Sequence, residues 1–364
     1  MNATMDFSSF FPITDTTWIF FLVLCIILFA PIIFNKMRLP HIIGMIFAGL
    51  LIGPHGLNIL AHDSSFELFG DVGLFYIMFL ASLEINMQEM KMAQGGAILL
   101  GLTAFIFPLA IGIAANMTIL DYELTASILL ASMYASHTLI AYPIVARYGL
   151  SRLRCVNFAV GGTIVTDTLT LFVLAVIGGM YKGDVGAWFL PSLLLKMIAI
   201  TLVIVYIFPR IARFFFRKYN DGIIQYIFVM AMLFMGAGIM ELAGMEGILG
   251  AFITGLALNR LIPHSSPLMK HIEFVGNAIF IPYFLIGVGM IIDLKVLFGE
   301  GNALLVAGVM IAIALFGKWL ASLVTQKVYG MSGDERRLIF GLSNAQAAAT
   351  LAAVLVGYNI ILED

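Results

Sequence analysis

Asp167 is the only carboxylate in the apolar run Val160-Gly-Gly-Thr-Ile-Val-Thr-Asp-Thr-Leu-Thr-Leu-Phe-Val-Leu-Ala-Val-Ile-Gly-Gly179, where Thr163, Thr166, Thr168 and Thr170 flank it. Such a run is long enough to cross a bilayer, which takes roughly 20 mostly apolar residues. A charged carboxylate near mid-bilayer costs on the order of 2.5–3.5 kcal/mol even on the lenient insertion scale, so these residues face an aqueous cavity or a partner. Thr163 and Thr170 share the helical face of Asp167, whereas Thr166 and Thr168 are rotated off it. Two readings are open: a buried Asp satisfied by hydroxyls and backbone, or a carboxylate that binds a cation and a proton in turn. The second is favoured, and its oxygen ligands suit a hard cation rather than a transition metal.

Other polar residues in apolar surroundings are weighed the same way. Lys318, within Leu315-Phe-Gly-Lys-Trp319, lies about ten residues from either end of its run and is either a snorkelling lysine or part of a buried site. Asn344 and Gln346 are buried amides that could simply hold a helix break together. His41, His55 and His137 fall in the range of pH sensors, with packing or hydrogen bonding favoured for His137. Glu84 ends a span, where a structural or funnel role and ion binding are equally open readings, and Glu241 and Glu246 bracket a short, solvated outer loop. Cys25 and Cys155 have no metal or redox spacing and read as packing residues.

Positioning these groups takes a membrane scaffold. Of 364 residues, 62% are hydrophobic and 11% charged, with a mean hydropathy of +1.05. Soluble domains carry about 25% charged residues, so the chain reads as a polytopic membrane protein. About twelve spans are expected, near 17–34, 40–59, 66–86, 95–117, 123–146, 153–180, 186–209, 222–241, 246–262, 272–292, 302–328 and 336–358. Short connections leave no room for an inserted soluble domain, so residues 1–364 read as a single transmembrane domain. The glycines within spans read as close-packing positions.

Orientation follows from the basic residues. Loops after odd-numbered spans hold Lys36 and Arg38, Lys91, Arg147, Arg152 and Arg154, Arg210, Arg213, Arg217 and Lys218, Arg260 and Lys270, and Lys327, Arg336 and Arg337. The opposite loops hold Asp63, Asp121, Glu123, Asp184, Glu246 and Glu300. The basic side is expected to be cytoplasmic and the N-terminus outside. Arg210–Lys218 reads as a linker touching anionic lipid. The abrupt end at Glu363-Asp364 suggests that a further helix, and a cytoplasmic domain, belong to a longer protein.

Several segments carry a family resemblance. They are Leu39-Pro-His-Ile-Ile-Gly-Met-Ile-Phe-Ala-Gly-Leu-Leu-Ile-Gly-Pro-His-Gly-Leu57, Leu74-Phe-Tyr-Ile-Met-Phe-Leu-Ala-Ser-Leu-Glu-Ile85, Ser136-His-Thr-Leu139, Thr166-Asp167 and Phe284-Leu-Ile-Gly-Val-Gly-Met290. In this order they resemble the cation/proton antiporter-2 family of bacterial sodium/proton and potassium/proton antiporters, over nearly the whole chain. The resemblance implies an all-α inverted repeat with a dimer domain, a core domain and two crossed broken helices whose ends point at the ion site. The breaks would fall near Ser136-His-Thr138, with Pro143 downstream, and near Ser343-Asn-Ala-Gln346. One more core helix would follow the second break in the family.

By the same resemblance Asp167 is the essential carboxylate, binding the monovalent cation or the proton. Thr138 and Ser136 would offer further oxygens, and Thr166 stands where electrogenic relatives have a second aspartate. Lys318 matches the family's buried lysine and could pair with Asp167, bond to carbonyls of a broken helix, or titrate. His137, Asn344 and Gln346 would support the broken helices. The expected function is a non-enzymatic exchange of Na⁺ or K⁺ for H⁺ by alternating access, electroneutral because one carboxylate titrates. No cofactor and no nucleic acid are expected. The expected setting is the plasma (inner) membrane of the cell, and the expected assembly is a homodimer through the first three and the eighth to tenth spans. A channel, or a non-transporting sensor on the same scaffold, is the alternative. An intramembrane aspartyl protease is rejected, since Asp293 lies near an outer end and leaves Asp167 without a second catalytic aspartate.

Overall fold

The computed structural model describes residues 12–37, 41–61, 64–83, 94–137, 145, 150, 153–181, 189–243, 245, 247–293, 295, 303–344, 346, 350 and 354. Within them the chain forms α1 (Thr16–Lys36), α2 (His41–Ile52), α3 (Ser64–Leu83), α4 (Gln94–Ile119), α5 (Leu124–Ala135), α6 (Arg154–Tyr181) and α7 (Phe189–Lys218). There follow α8 (Gly222–Leu242), α9 (Gly247–Leu258), α10 (Pro267–Val275), α11 (Ile281–Ile291), α12 (Ala303–Tyr329) and α13 (Gly333–Ser343). A π turn, Gly276–Phe280, joins α10 to α11 as one crossing. Helices are the only open-chain solution in lipid, because every backbone polar group must be satisfied within the segment.

Eight of these stretches are long and apolar enough to span, and Ile42–Ile52, Leu124–Ala135 and Gly247–Leu261 are shorter apolar helices. The described helices follow the order of the expected spans. Two end where breaks were expected, α5 at Ala135 and α13 at Ser343. α7 runs past its expected end. It continues to Lys218, through the stretch read as a linker, because Lys and Arg in a last helical turn complement the helix dipole.

The helix lengths repeat. α1 and α8 are each 21 residues, α2 and α9 each 12, α4 and α12 26 and 27, and α5 and α13 12 and 11. Among the described residues six helices lie between α1 and α8, and in the inverted repeat of this fold class the second set enters from the opposite side. One body holds α1–α3 and α8–α11, where α2 packs on α11, α9 on α3, and α3 on α11. The other holds α4, α5, α6, α12 and α13. α6 also meets α9, and Leu171, Leu174 and Ile177 join the first body's core.

Small residues make the closest crossings possible, as in other membrane helix pairs. A Cβ on Gly49 would collide with the carbonyl oxygen of Ile286, and one on Gly317 would press into the Pro108 ring. The second contact holds α12, which carries Lys318, against α4.

Candidate functional site

The site is built where α5 stops. The last carbonyls of any helix lack intrahelical partners, and inside a membrane water cannot be relied on to supply them. Ser136 caps α5 with an extended backbone (φ −63°, ψ 156°). Side chains from three other segments donate to the carbonyls at this end, of which Ser132 O also accepts the Ser136 N–H. Thr170 Oγ1 reaches Ser132 O at 3.4 Å, Thr350 Oγ1 reaches Met133 O at 3.2 Å, and Gln346 Nε2 reaches Tyr134 O at 3.0 Å. Lys318 Nζ donates to Ser136 O at 2.7 Å. Residues 346 and 350 lie just beyond α13, so the two interrupted segments meet at these carbonyls.

Asp167 sits halfway along α6 and is 7% exposed. Its Oδ1 accepts the Ser136 hydroxyl at 2.8 Å, which joins the carboxylate to the same break. Lys318, 1% exposed, therefore serves the backbone of Ser136 rather than the carboxylate. Among the described residues Asp167 makes no ion pair. Of the three roles open to Lys318 in the sequence, the geometry displays the carbonyl bond. A cation at a helix C-terminus is also favoured by the dipole.

Thr166 faces away from this pair. Its hydroxyl donates to Thr163 O at 2.9 Å and lies 3.2 Å from Nδ1 of His137. With the hydroxyl proton used on Thr163, the Nδ1–H of His137 is the donor in that contact. Nε2 of His137 is then a buried acceptor with no partner among the described residues. Thr163, expected on the face of Asp167, turns its hydroxyl onto Ala159 O at 3.0 Å. Asn344 follows α13, and its Oδ1 is buried and has no partner among the described residues.

The structure thus gathers Asp167, Ser136, Lys318, Thr166, His137 and Gln346 around one break. Thr138, Pro143, Glu84 and Glu246 lie outside the described residues, as does the side chain of His41. His55 is away from the break, with Nδ1 3.5 Å from Asp293. Cys25 and Cys155 are free thiols, Cys155 buried. Sequence reasoning missed Thr350 and the outward role of Thr170. The i, i+4 spacing of Gln346 and Thr350, matching one helical face, was the available signal.

A second missed contact fixes the basic end of this body. Arg154, at the start of α6, donates to Glu335 Oε1 at 3.0 Å and Oε2 at 3.4 Å. Glu335 also closes a capping box with Ser332 at the start of α13. Hydrogen bonds from the Arg154 guanidinium, then from the Ser332 N–H, pull the Glu335 carboxyl down to about 2.

Comparison with known proteins agrees with this architecture. Residues 22–363 match the family described as sodium/hydrogen exchanger, transmembrane. The Na⁺/H⁺ antiporter NhaS5 of Synechocystis is 36% identical over 360 residues, covering 97% of this chain and 51% of that protein. The chain thus spans about half the length of that relative. The probable Na⁺/H⁺ antiporter 3 of Methanocaldococcus jannaschii is 28% identical, over 94% of this chain and 88% of that protein. The sodium/proton antiporter MjNhaP1 of the same organism superposes with a TM-score of 0.73 at 19% identity, over 96% of this chain and 87% of its own. That likeness is one of fold. The chain belongs to the sodium/hydrogen exchanger transmembrane family of monovalent cation/proton antiporters, a family of multi-pass transporters and not of enzymes.

Proposed function

We propose that this protein is a secondary antiporter exchanging Na⁺ or K⁺ for H⁺ by alternating access, with Asp167 as the shared cation and proton site. One observation carries the reading: a buried carboxylate meets the end of a broken helix while the nearby lysine is occupied by a backbone carbonyl. Proton and cation compete for the oxygens of Asp167, with the Ser136 hydroxyl and Thr138 as further ligands. Thr166, held by Thr163 and His137, adds no charge. Asn344, Gln346 and His137 support the break, and Lys318 compensates its carbonyl dipole. The names of the relatives, Na⁺/H⁺ antiporters, support the same substrates. One carboxylate carrying either one proton or one monovalent cation moves no net charge, so the exchange is electroneutral.

The test is flux in proteoliposomes with each cation in turn, with and without an imposed membrane potential. Coupled exchange indifferent to the potential, and lost in Asp167→Asn, is expected, because an amide neither titrates nor neutralises the ion. Cation flux without proton coupling would indicate a channel instead. Potential-driven exchange would overturn electroneutrality and implicate proton release by Lys318.

The protein is further assigned to the plasma (inner) membrane, N-terminus outside, as a homodimer through α1–α3 and α8–α11. The outward row Trp18, Phe21, Leu24, Leu28 and Ile32 of α1 supplies apolar surface for that contact. A monomeric mass in gentle detergent and in lipid would exclude it.

A further inference from the structure

The surface of α7 has the length and polarity of a lipid. The helix has 30 residues, about 45 Å at the usual rise, against an apolar bilayer core of about 30 Å. Leu195, Leu202 and Tyr206 project outward along one stripe and are 70%, 49% and 57% exposed. At 100° per residue the same stripe continues into Arg213 and Arg217, with Arg210 beside them. From Leu195 to Tyr206 is about 16 Å of helix, the depth of one leaflet.

The cations at its foot form an exposed basic cluster. Among the described residues Arg210, Arg213, Arg217 and Lys218 have no acidic partner. The nearest acid, Asp221, caps α8 by accepting from the Ile223 and Ile224 N–H groups. Arg210 donates to Tyr206 O and its guanidinium lies 5.9 Å from the Tyr206 ring centroid, which holds it at the junction of apolar and charged surface. Phe214, 71% exposed, stands among the arginines.

The surface is also rigid. On the opposite side of α7, Phe215 stacks on Phe228 of α8 at 4.0 Å and Phe216 packs edge-on against the same ring. Gln225 Nε2 donates to Tyr219 O at 2.7 Å and closes the turn between the helices. A fixed row of cations with an apolar track above it is preorganised for a ligand with a phosphate head and acyl chains.

We propose that α7 holds one anionic glycerophospholipid in the leaflet facing the basic loops, its phosphate between Arg210, Arg213 and Arg217 and an acyl chain along Tyr206, Leu202 and Leu195. The site lies on a different helix from Asp167, on the outer surface of α7.

Native mass spectrometry of the purified protein in neutral detergent, titrated with dioleoyl phosphatidylglycerol, reads the binding directly. The wild type should retain this lipid in preference to dioleoyl phosphatidylcholine and melt at a higher temperature with it. R213Q/R217Q should weaken retention about thirtyfold, the factor expected for two surface charges, while its melting in phosphatidylcholine stays that of the wild type. Arg336→Gln, on another basic loop, should retain the lipid as the wild type does. Equal retention of the two lipids, or of phosphatidylglycerol by R213Q/R217Q, would overturn the site. If inorganic phosphate alone reproduced the melting shift, a free-anion site would replace the lipid.

Discussion

The role of Lys318 turns on a single bond. Its ammonium caps the Ser136 carbonyl while the Ser136 hydroxyl serves Asp167, so Ser136 stands between the two charges. If capping is the whole role, a side chain that donates without titrating will serve. Lys318→Gln should therefore keep exchange that ignores membrane potential. Lys318→Met keeps the apolar stem but leaves a buried carbonyl unpaired, a loss of about 1–3 kcal/mol, and should melt below Lys318→Gln. Thermal melting in detergent checks the order. Potential-driven exchange in the wild type that disappears in Lys318→Gln would show instead that the lysine releases a proton in each cycle.

At the scale of elements, the broken helices depend on partners outside themselves. α5 brings four carbonyls to the middle of the second body, and α6, α12 and the segment after α13 supply the donors. α6 and α13 are tied again at the basic end by Arg154 and Glu335. Because the folded Glu335 carboxyl titrates near 2, below the ordinary carboxylate value, this tie stabilises the fold above about pH 4.3. Its contribution is lost as pH falls from there through 2. The melting temperature of Glu335→Gln should lie below that of the wild type at pH 7, and the gap should narrow at pH 3. The pair is exposed, so the gap should be small and shrink in high salt. A gap unchanged by acid would mean that the carboxylate charge does not matter there.

At the scale of the molecule, the two bodies and the inverted repeat make orientation a functional matter. Alternating access moves one repeat unit against another about a fixed site. The proposed orientation puts the turn between α7 and α8 in the cytoplasm. A single cysteine at Tyr219, which is exposed, should react with an impermeant thiol reagent only in inside-out vesicles, in a background where Cys25 and Cys155 are replaced. Labelling from the outside of intact cells would invert the topology.

The sequence by itself determined the order of the helices, their orientation signal, and most, though not all, of the residues that gather at the site, Thr350 being missed. Apolar length and charge placement are local properties; Asp167 and Lys318 stand out because charged groups are costly in an apolar run, and Ser136 entered through the family resemblance. The tertiary structure decided which atoms meet. Lys318 could not be assigned to the Ser136 carbonyl before α12 and α5 were placed together, since 182 residues separate them. Thr170 carries the same lesson: helical spacing put it on the face of Asp167, yet its hydroxyl reaches the Ser132 carbonyl of α5, which also accepts the Ser136 N–H. The continuation of α7 through its arginines was likewise hidden. A run of cations reads as a loop until the packing of Phe215 and Phe216 on Phe228 holds the helix together past the bilayer core.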